Sequence, residues 1–192
     1  MLRVAINGFG RIGRLVLRAA VESKRNDIQV VAVNDLGSIQ QNLHLLKYDS
    51  VHGAFISDLT TDGSDLIIND KVIKTSMERD PSKLPWKELD VDIVLECTGL
   101  FVDGNIANKH IDAGAKKILI SAPAKNVDTT VVYGVNHKQI SMKDRIISNA
   151  SCTTNCLAPI AKILNDNIGI NYGFMTTVHS YTGDQKVVDS LH

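Results

Sequence analysis

The sequence predicts an α/β protein built on a parallel, doubly wound sheet. Short apolar runs alternate with helical patterns along the chain, as expected for parallel β-α-β units. The first apolar run leads directly into a glycine-rich turn that opens a helix. The 192 residues suffice for one domain and part of another. We therefore expect a nucleotide-binding domain over residues 1–150 and the start of a second domain over residues 151–192.

Composition and charge exclude several classes of partner. Lys+Arg and Asp+Glu both number 21, so no net charge favours nucleic acid or an anionic membrane. The three cysteines form no disulfide framework, which indicates reduced thiols. A strand begins at once, leaving no room for a signal peptide, and no apolar run is long enough to span a membrane. We expect a soluble, cytoplasmic protein with no nucleic-acid or membrane partner.

The first predicted strand, residues 2–6, precedes three glycines spaced for dinucleotide binding. Gly8, Gly10 and Gly13 form G-x-G-x-x-G between a strand and a helix, which is the context that the motif requires. Gly8 permits the tight turn, Gly10 lets a pyrophosphate approach the backbone, and Gly13 lets the helix pack on the sheet. The helix N-terminus then faces the phosphates. The motif predicts a Rossmann-type domain.

A second apolar run, residues 28–33, ends at Asn34 and Asp35. Asp35 follows Gly13 by about 20 residues, the offset expected for a carboxylate that accepts a hydrogen bond from a ribose hydroxyl. A 2′-phosphate beside this carboxylate would meet like-charge repulsion. The pattern therefore favours NAD over NADP as the cofactor.

The middle of the chain predicts further elements of the same domain. They are a helix at 39–48, a hairpin at 66–73, strands at 91–96, 117–121, 131–135 and 145–148, and a helix at 105–113. Thr98 and Gly99 follow a buried strand, where cofactors lie in such sheets, and the neighbouring Cys97 is expected to be structural. Arg79 either stacks on an adenine or pairs with Asp80; the sequence leaves both possibilities open. His44 is expected to be an exposed or capping residue, and His110 and His137 are expected at the surface.

Cys152 is the strongest candidate nucleophile. It begins a helical pattern that runs to about residue 167, so its thiol faces unpaired backbone N–H groups and the positive end of the helix dipole. Both lower a thiol pKa. A free cysteine is ordinarily a small buried hydrophobe, and Cys156, one turn further on, is expected to be partly buried and inert. Cys-x₃-Cys without further ligands does not support a metal site, so we predict none.

His179 is the candidate partner of this thiol. It ends an alternating pattern that predicts a strand over residues 173–179. A histidine with a near-neutral pKa can take a thiol proton and stabilise an oxyanion. A hydrogen-bonded histidine at the end of a strand fits the pattern equally well, so both interpretations stay open on the pattern alone.

Seven short motifs, taken together and in order, resemble the glyceraldehyde-3-phosphate dehydrogenase family. They are NGFGRIG at 7–13, LKYDSVHG at 46–53, ERDP at 78–81, ECTG at 96–99, SAPA at 121–124, ASCTTNC at 150–156 and TVHSYT at 177–182. The resemblance implies that Cys152 attacks the aldehyde of glyceraldehyde 3-phosphate and that His179 is its base. Hydride then passes to NAD, and inorganic phosphate releases 1,3-bisphosphoglycerate from the thioester.

The resemblance also assigns binding residues. Ser151, Thr153 and Thr182 match positions that bind the substrate or the attacking phosphate. Five residues match positions that contact NAD in the family: Arg11, Ile12, Asp35, Arg79 and Ser121. Thr98 and Gly99 lie beside these positions. For Arg79 this favours the cofactor role. The resemblance further implies a homotetramer for the full-length protein.

Two departures from the family pattern affect these expectations. Ser190 and Leu191 stand where many NAD-specific members carry Leu-Pro, which weakens the preference for NAD over NADP. The family's chains are also much longer, so residues 151–192 are expected to be the truncated start of an α+β catalytic domain. We expect the 1–192 chain alone to bind NAD weakly and to be inactive.

Two alternative functions remain open. Erythrose-4-phosphate dehydrogenase uses the same thiol chemistry with water attacking the thioester, and phosphate dependence of NADH formation separates it from the leading hypothesis. A non-catalytic NAD-binding fragment would bind NAD without rapid, selective alkylation of Cys152.

Overall fold

A nine-stranded sheet fills the first part of the computed structural model, which describes residues 1–182. The strands are β1 (Leu2–Asn7), β2 (Ile28–Asn34), β3 (Tyr48–Asp49), β4 (Gly53–Ala54), β5 (Leu59–Asp62), β6 (Asp65–Ile68), β7 (Lys71–Ser76), β8 (Ile93–Glu96), β9 (Lys117–Ile120), β10 (Thr129–Thr130) and β11 (Ile146–Ser148). The helices are α1 (Arg11–Glu22), α2 (Ile39–Lys47), α3 (Gly104–Ala107), α4 (Lys109–Asp112) and α5 (Cys152–Ile168), with 3₁₀ turns at Pro81–Lys83 and His137–Gln139. The predicted α/β class is confirmed.

The strand order places the candidate site at the carboxyl ends of the parallel strands. The order is β10-β11-β9-β8-β1-β2-β7-β6-β5, and β3 pairs separately with β4. Neighbouring strands from β10 to β7 are parallel, whereas β5, β6 and β7 pair antiparallel. Strand β1 lies between β2 and β8, so the chain order reverses there, and ligands bind at the carboxyl ends of such strands. The segments after β1, β2, β8, β9 and β11 therefore meet at the same edge.

Strand β1 separates two hydrophobic cores. Successive side chains of a strand point to opposite faces of the sheet. On the face that α1 and α2 cover, Ile6 belongs to the same core as Leu17 of α1. On the other face, its neighbour Ala5 belongs to a second core with Trp86. All four side chains are 1% exposed or less. A central strand buried on both faces is what its apolar sequence requires.

The predicted hairpin at residues 66–73 is confirmed. Strands β6 and β7 pair antiparallel through a two-residue turn. Asn69 and Asp70 occupy the turn with φ values of +49° and +62°. Two successive left-handed residues are the requirement of a type I′ turn, and Asn and Asp tolerate that conformation better than most residues.

Two predicted elements of the first domain are wrong in detail. Residues 131–135 form no strand: the chain enters a turn at residues 133–136 shortly after β10, and the side chain of Asn136 accepts the Val132 N–H across it at 2.8 Å. The helix predicted at 105–113 is split into α3 and α4. The N–H of Ile111 bonds to the carbonyl of Asn108 at 2.8 Å, the tighter spacing typical of a 3₁₀ turn.

The segment beyond residue 150 differs from the prediction in its packing. Helix α5 is confirmed, but Cys156 is exposed, because no layer covers its face within residues 1–182. Residues 173–179 form no strand, since no neighbouring strand in the described chain supplies hydrogen bonds. No helix of residues 1–182 is long and apolar enough to cross a membrane. Ser190 and Leu191 lie outside the described residues.

Candidate active site

The glycine-rich turn after β1 is fixed by close backbone contacts. Gly8 has a φ of +90°, and a Cβ there would lie 2.7 Å from the backbone nitrogen of Thr98. A Cβ on Gly13 would lie 2.2 Å from the carbonyl oxygen of Gly8. Both distances are shorter than a carbon contact allows, so glycine is required at each position. The turn is thus held tightly against the end of β8.

Gly10 differs from its two neighbours because it faces open space. Apart from Gly10 itself and its chain neighbours, no described atom lies within 4 Å of a Cβ built at Gly10. Gly10 is also the N-cap of α1 and provides no side-chain cap. The first-turn N–H groups of Arg11, Ile12 and Gly13 therefore remain available to an anion, and the positive end of the helix dipole favours one. This uncapped helix start fits the pyrophosphate of a dinucleotide.

Asp35 is fixed beside the same turn. One carboxylate oxygen accepts the N–H of Phe9 at 2.7 Å, and the other accepts the N–H of Gly37 at 2.8 Å. These bonds hold the half-buried carboxylate in one orientation next to the glycine turn. A carboxylate oxygen has more than one acceptor position, so Asp35 can still bind a ribose hydroxyl.

A cavity of about 520 Å³ joins these elements at the carboxyl edge of the sheet. Its lining includes five of the predicted cofactor residues, Gly8, Gly10, Asp35, Arg79 and Thr98. The alternative for Arg79 was an ion pair with Asp80, but Asp80 pairs with Lys109 at 3.3 Å. Arg79 instead lines the cavity, which agrees with the cofactor interpretation.

The remaining predicted cofactor residues lie outside the lining of this cavity. They are Arg11, Ile12, Gly13, Gly99 and Ser121. The Arg11 side chain pairs with Asp49 at 3.0 Å. Ser121 follows β9, and its hydroxyl contacts the half-buried Cys97; burial raises the pKa of that thiol to about 11. A thiol with so high a pKa is unreactive, which agrees with the structural role expected for Cys97.

Cys152 and His179 form the second part of the site. The Cys152 sulfur lies 2.9 Å from Nε2 of His179, while Nδ1 of His179 lies 2.7 Å from the carbonyl oxygen of Ser180. A carbonyl only accepts, so Nδ1 carries a proton and Nε2 can take one from the thiol. The pKa of Cys152 is lowered from its usual value, chiefly by His179 and also by the backbone N–H of Thr153.

The predicted substrate residues surround this thiol along the chain. Ser151 is the N-cap of α5, and its hydroxyl accepts the Thr154 N–H at 2.9 Å. Thr153, in the first turn of α5, and Thr182, in the segment that carries His179, are both half-buried. Ala150 precedes the helix with a φ of +57°, a costly conformation for a residue with a side chain. The chain is thereby turned sharply from β11 into α5.

Sequence reasoning placed one of the histidines wrongly. His110, predicted at the surface, is fully buried; its Nε2 lies 3.0 Å from Glu96 and its Nδ1 accepts from Trp86 at 2.9 Å. His137 is half-buried, and its ring nitrogen accepts the N–H of Gly134 at 2.9 Å. A signal for His110 was present, since Glu96 ends an apolar strand and a buried carboxylate needs hydrogen-bonding partners.

An uncapped helix start, an acid beside it and a cavity at the strand reversal define a dinucleotide-binding protein. Comparison with known families narrows this class. Residues 2–104 match the model of the NAD-binding domain of glyceraldehyde 3-phosphate dehydrogenase, and residues 151–192 match the model of that enzyme's C-terminal domain. The chain belongs to the glyceraldehyde 3-phosphate dehydrogenase family. The predicted family and the NAD cofactor are thereby confirmed.

Similar proteins extend over the whole chain. The glyceraldehyde-3-phosphate dehydrogenase of Xanthobacter flavus is 56% identical over 191 residues, which cover 100% of this chain and 57% of that protein. The same enzyme from Zymomonas mobilis is 55% identical over 192 residues, again 100% of this chain and 57% of that protein. The enzyme of Pseudomonas aeruginosa is 55% identical, with 58% of its length covered. The chain therefore spans somewhat more than half the length of these relatives.

Proposed function

We propose that the protein oxidises glyceraldehyde 3-phosphate to 1,3-bisphosphoglycerate with NAD and inorganic phosphate, the reaction used in glycolysis and gluconeogenesis. One observation carries the proposal beyond NAD binding: the Cys152 sulfur lies 2.9 Å from Nε2 of His179 at the start of a helix. This arrangement supplies a nucleophile of lowered pKa together with its base.

The chemistry of the thiol follows from this geometry. His179 takes the proton of Cys152, and the thiolate attacks the aldehyde carbon to form a hemithioacetal. The proton on Nε2 neutralises the new oxyanion, and His179 takes it back from the hydroxyl as the carbon is oxidised. NAD, when bound, accepts the hydride that leaves this carbon. Phosphate then attacks the thioester, the Cys152 thiolate leaves, and the product is an acyl phosphate.

We assign the binding roles to the residues at the carboxyl edge of the sheet. The uncapped start of α1 binds the pyrophosphate of NAD, Asp35 accepts from the adenosine ribose, and Arg79 borders the adenine. Gly99 and Ser121 would act nearer the nicotinamide. The like charge of Asp35 disfavours NADP.

The substrate side of the proposal rests on three hydroxyl residues near the thiol. We propose that Ser151, Thr153 and Thr182 bind the substrate or the attacking phosphate. Helix α5 carries exposed apolar side chains, among them Ile163 at 63% exposure. We therefore expect the 1–192 chain alone to turn over slowly or not at all, and we assign full activity to a cytoplasmic homotetramer of the length of the relatives.

The decisive experiment measures phosphate-dependent NADH formation from glyceraldehyde 3-phosphate by the protein at the length of its relatives. We expect Cys152→Ser to abolish turnover and Cys156→Ser, four residues further along the same helix, to retain most of it. NADH formation that does not require phosphate would instead support the erythrose-4-phosphate alternative. Normal NAD binding with an unreactive Cys152 would support the non-catalytic alternative and contradict the proposal.

A further inference from the structure

Four buried polar residues form a continuous hydrogen-bonded chain beneath the cofactor cavity. They are His110, Glu96, Asn7 and Asn34, with exposures of 0%, 1%, 2% and 4%. We refer to them as the buried polar chain. Buried polar groups are retained only where hydrogen bonds satisfy them, and a connected set fixes the geometry of everything that it contacts.

The position of the His110 proton follows from the partners at one end of the buried polar chain. The indole N–H of Trp86 donates to Nδ1 of His110 at 2.9 Å, and an indole nitrogen can only donate. Nδ1 is therefore an acceptor, so the proton of the neutral ring lies on Nε2. From there it is donated to Oε2 of Glu96, 3.0 Å away.

The two carboxylate oxygens of Glu96 have different partners. Oε2 also accepts from the side-chain amide of Asn7 at 2.6 Å. Oε1 accepts the backbone N–H of Thr98 at 2.8 Å together with the Thr98 hydroxyl. The same hydroxyl accepts the N–H of Leu100 at 3.0 Å. Thr98 and Leu100 form one wall of the cavity, so this carboxylate holds that wall in place.

The other end of the buried polar chain reaches the opposite wall. The side-chain carbonyl of Asn7 accepts from the amide of Asn34 at 2.7 Å. The Asn34 side chain then makes two bonds to the backbone of Glu78, each 2.8 Å, one as donor and one as acceptor. Glu78 lines the cavity beside Arg79. The buried polar chain thus crosses the ends of β8, β1 and β2 and connects both walls.

We propose that Glu96 and His110 are positioning residues that preset the adenosine end of the NAD site. Loops that are already fixed lose little conformational entropy when the ligand binds, so the ligand binds more tightly. Asp35, which is expected to hold the adenosine ribose, lines the same cavity. The inference rests on the family's NAD-binding domain and is independent of the catalytic roles proposed for Cys152 and His179.

The first test is the affinity for NAD and for ADP-ribose, measured by calorimetry without turnover. Glu96→Gln places an amide donor where an oxygen accepted, and His110→Phe removes the donor to Glu96. We expect each variant to weaken both ligands about tenfold or more, in parallel, because ADP-ribose contains the adenosine end. The double variant should weaken binding by less than the product of the single effects, since both act through the same contact.

The control separates positioning from general stability. Ile118→Ala truncates a side chain that is fully buried in β9 and belongs to a separate hydrophobic cluster. It should lower the thermal midpoint of the ligand-free chain while leaving the NAD affinity within about twofold. Equal losses of affinity in Ile118→Ala and Glu96→Gln, or unchanged affinity in both Glu96→Gln and His110→Phe, would overturn the proposal.

A spectroscopic test on the unmodified chain covers the case in which the variants do not fold. Nitrogen NMR should find the His110 proton on Nε2, and addition of NAD should shift the ring signals of His110 and the indole N–H of Trp86. Trp86 is the only tryptophan in the chain, so its signal is unambiguous. A proton on Nδ1, or no shift of either signal at saturating NAD, would contradict the proposal.

Discussion

The residues before and after Ser151 differ in what determines their geometry. Before it, three clusters of buried apolar side chains pack against the sheet, and the predicted cofactor residues lie on loops after the strands and in the first turn of α1. After it, α5 has no buried side chain within residues 1–182, and Phe174 is 100% exposed. The cofactor cavity is therefore a product of tertiary packing. The lowered pKa of Cys152 depends instead on two contacts, with His179 and with the backbone N–H of Thr153 at the start of α5.

Each of these two regions contains a cysteine, and the pKa values of the two thiols are shifted in opposite directions. Cys97 packs against the core that contains Ile6 and Leu17, and burial there raises its pKa to about 11. Cys152 is exposed at a helix start, where the contact with His179 lowers its pKa. The pKa of a thiol is thus raised in one region and lowered in the other, by burial in the first case and by a hydrogen-bonding histidine in the second.

The largest difference should appear in alkylation by iodoacetamide near neutral pH. Cys152 should react about a thousandfold faster than Cys97, because the thiolate is the nucleophile and Cys97 is both enclosed and rarely ionised. The rate at Cys152 rises with pH as its thiol ionises. His179→Asn removes the largest cause of the lowered pKa, so the midpoint of that rise should move to higher pH. Peptide mass spectrometry after timed labelling gives each rate separately.

Ser180→Ala provides the matched control for the histidine variant. It retains the backbone carbonyl that accepts from His179, so the midpoint for Cys152 should stay where it is. A midpoint that is equally low with and without His179 would show that the helix start alone activates the thiol.

Core truncation should distinguish the two regions by free energy of unfolding. Leu17 is 1% exposed in the core beside β1, so Leu17→Ala should cost about 2–5 kcal/mol. Ile163 on α5 is 63% exposed, so Ile163→Ala should change stability by less than about 0.5 kcal/mol. Urea denaturation of the 1–192 chain measures both. A cost at Ile163 comparable to that at Leu17 would mean that α5 is packed in solution.

The elements that were predicted correctly from the sequence are those that depend on the spacing of neighbouring residues. The glycines at the β1–α1 turn, the hairpin at Asn69 and the start of α5 at Cys152 each depend on neighbouring residues, and the structure confirms all three elements. His110 was misplaced because its burial depends on Trp86 and Glu96, which approach it only when the sheet assembles. Spacing carries no information about such encounters.

The strand predicted at residues 173–179 failed for a related reason. Its alternation of side chains is typical of a strand, but a strand also requires a hydrogen-bonding neighbour, and the described chain offers none at that place. The pairing of Cys152 with His179 does not depend on that strand, since the segment reaches the thiol without it. The structure thus places His179 beside Cys152, a point that the pattern alone left open, and it contradicts the strand that the pattern predicted.

The smallest expected effect is the change in stability on removing one of two serines that cap helices in the same way. Ser38 accepts the Gln41 N–H at 3.3 Å at the start of α2, and Ser151 accepts the Thr154 N–H at 2.9 Å at the start of α5. Loss of either cap costs about 1 kcal/mol locally. Helix α2 buries Leu46 in the core, so Ser38→Ala should lower the thermal midpoint of the sheet by about 2–4 °C.

Helix α5 contributes no buried side chain to that core within the described residues, so Ser151→Ala should leave the midpoint unchanged. Its cost should appear instead as faster hydrogen exchange of the first-turn amides of α5, because an uncapped helix end frays. Calorimetry and amide exchange on the two variants give both readouts. Equal shifts of the midpoint for Ser38→Ala and Ser151→Ala would show that the two regions unfold as one cooperative unit.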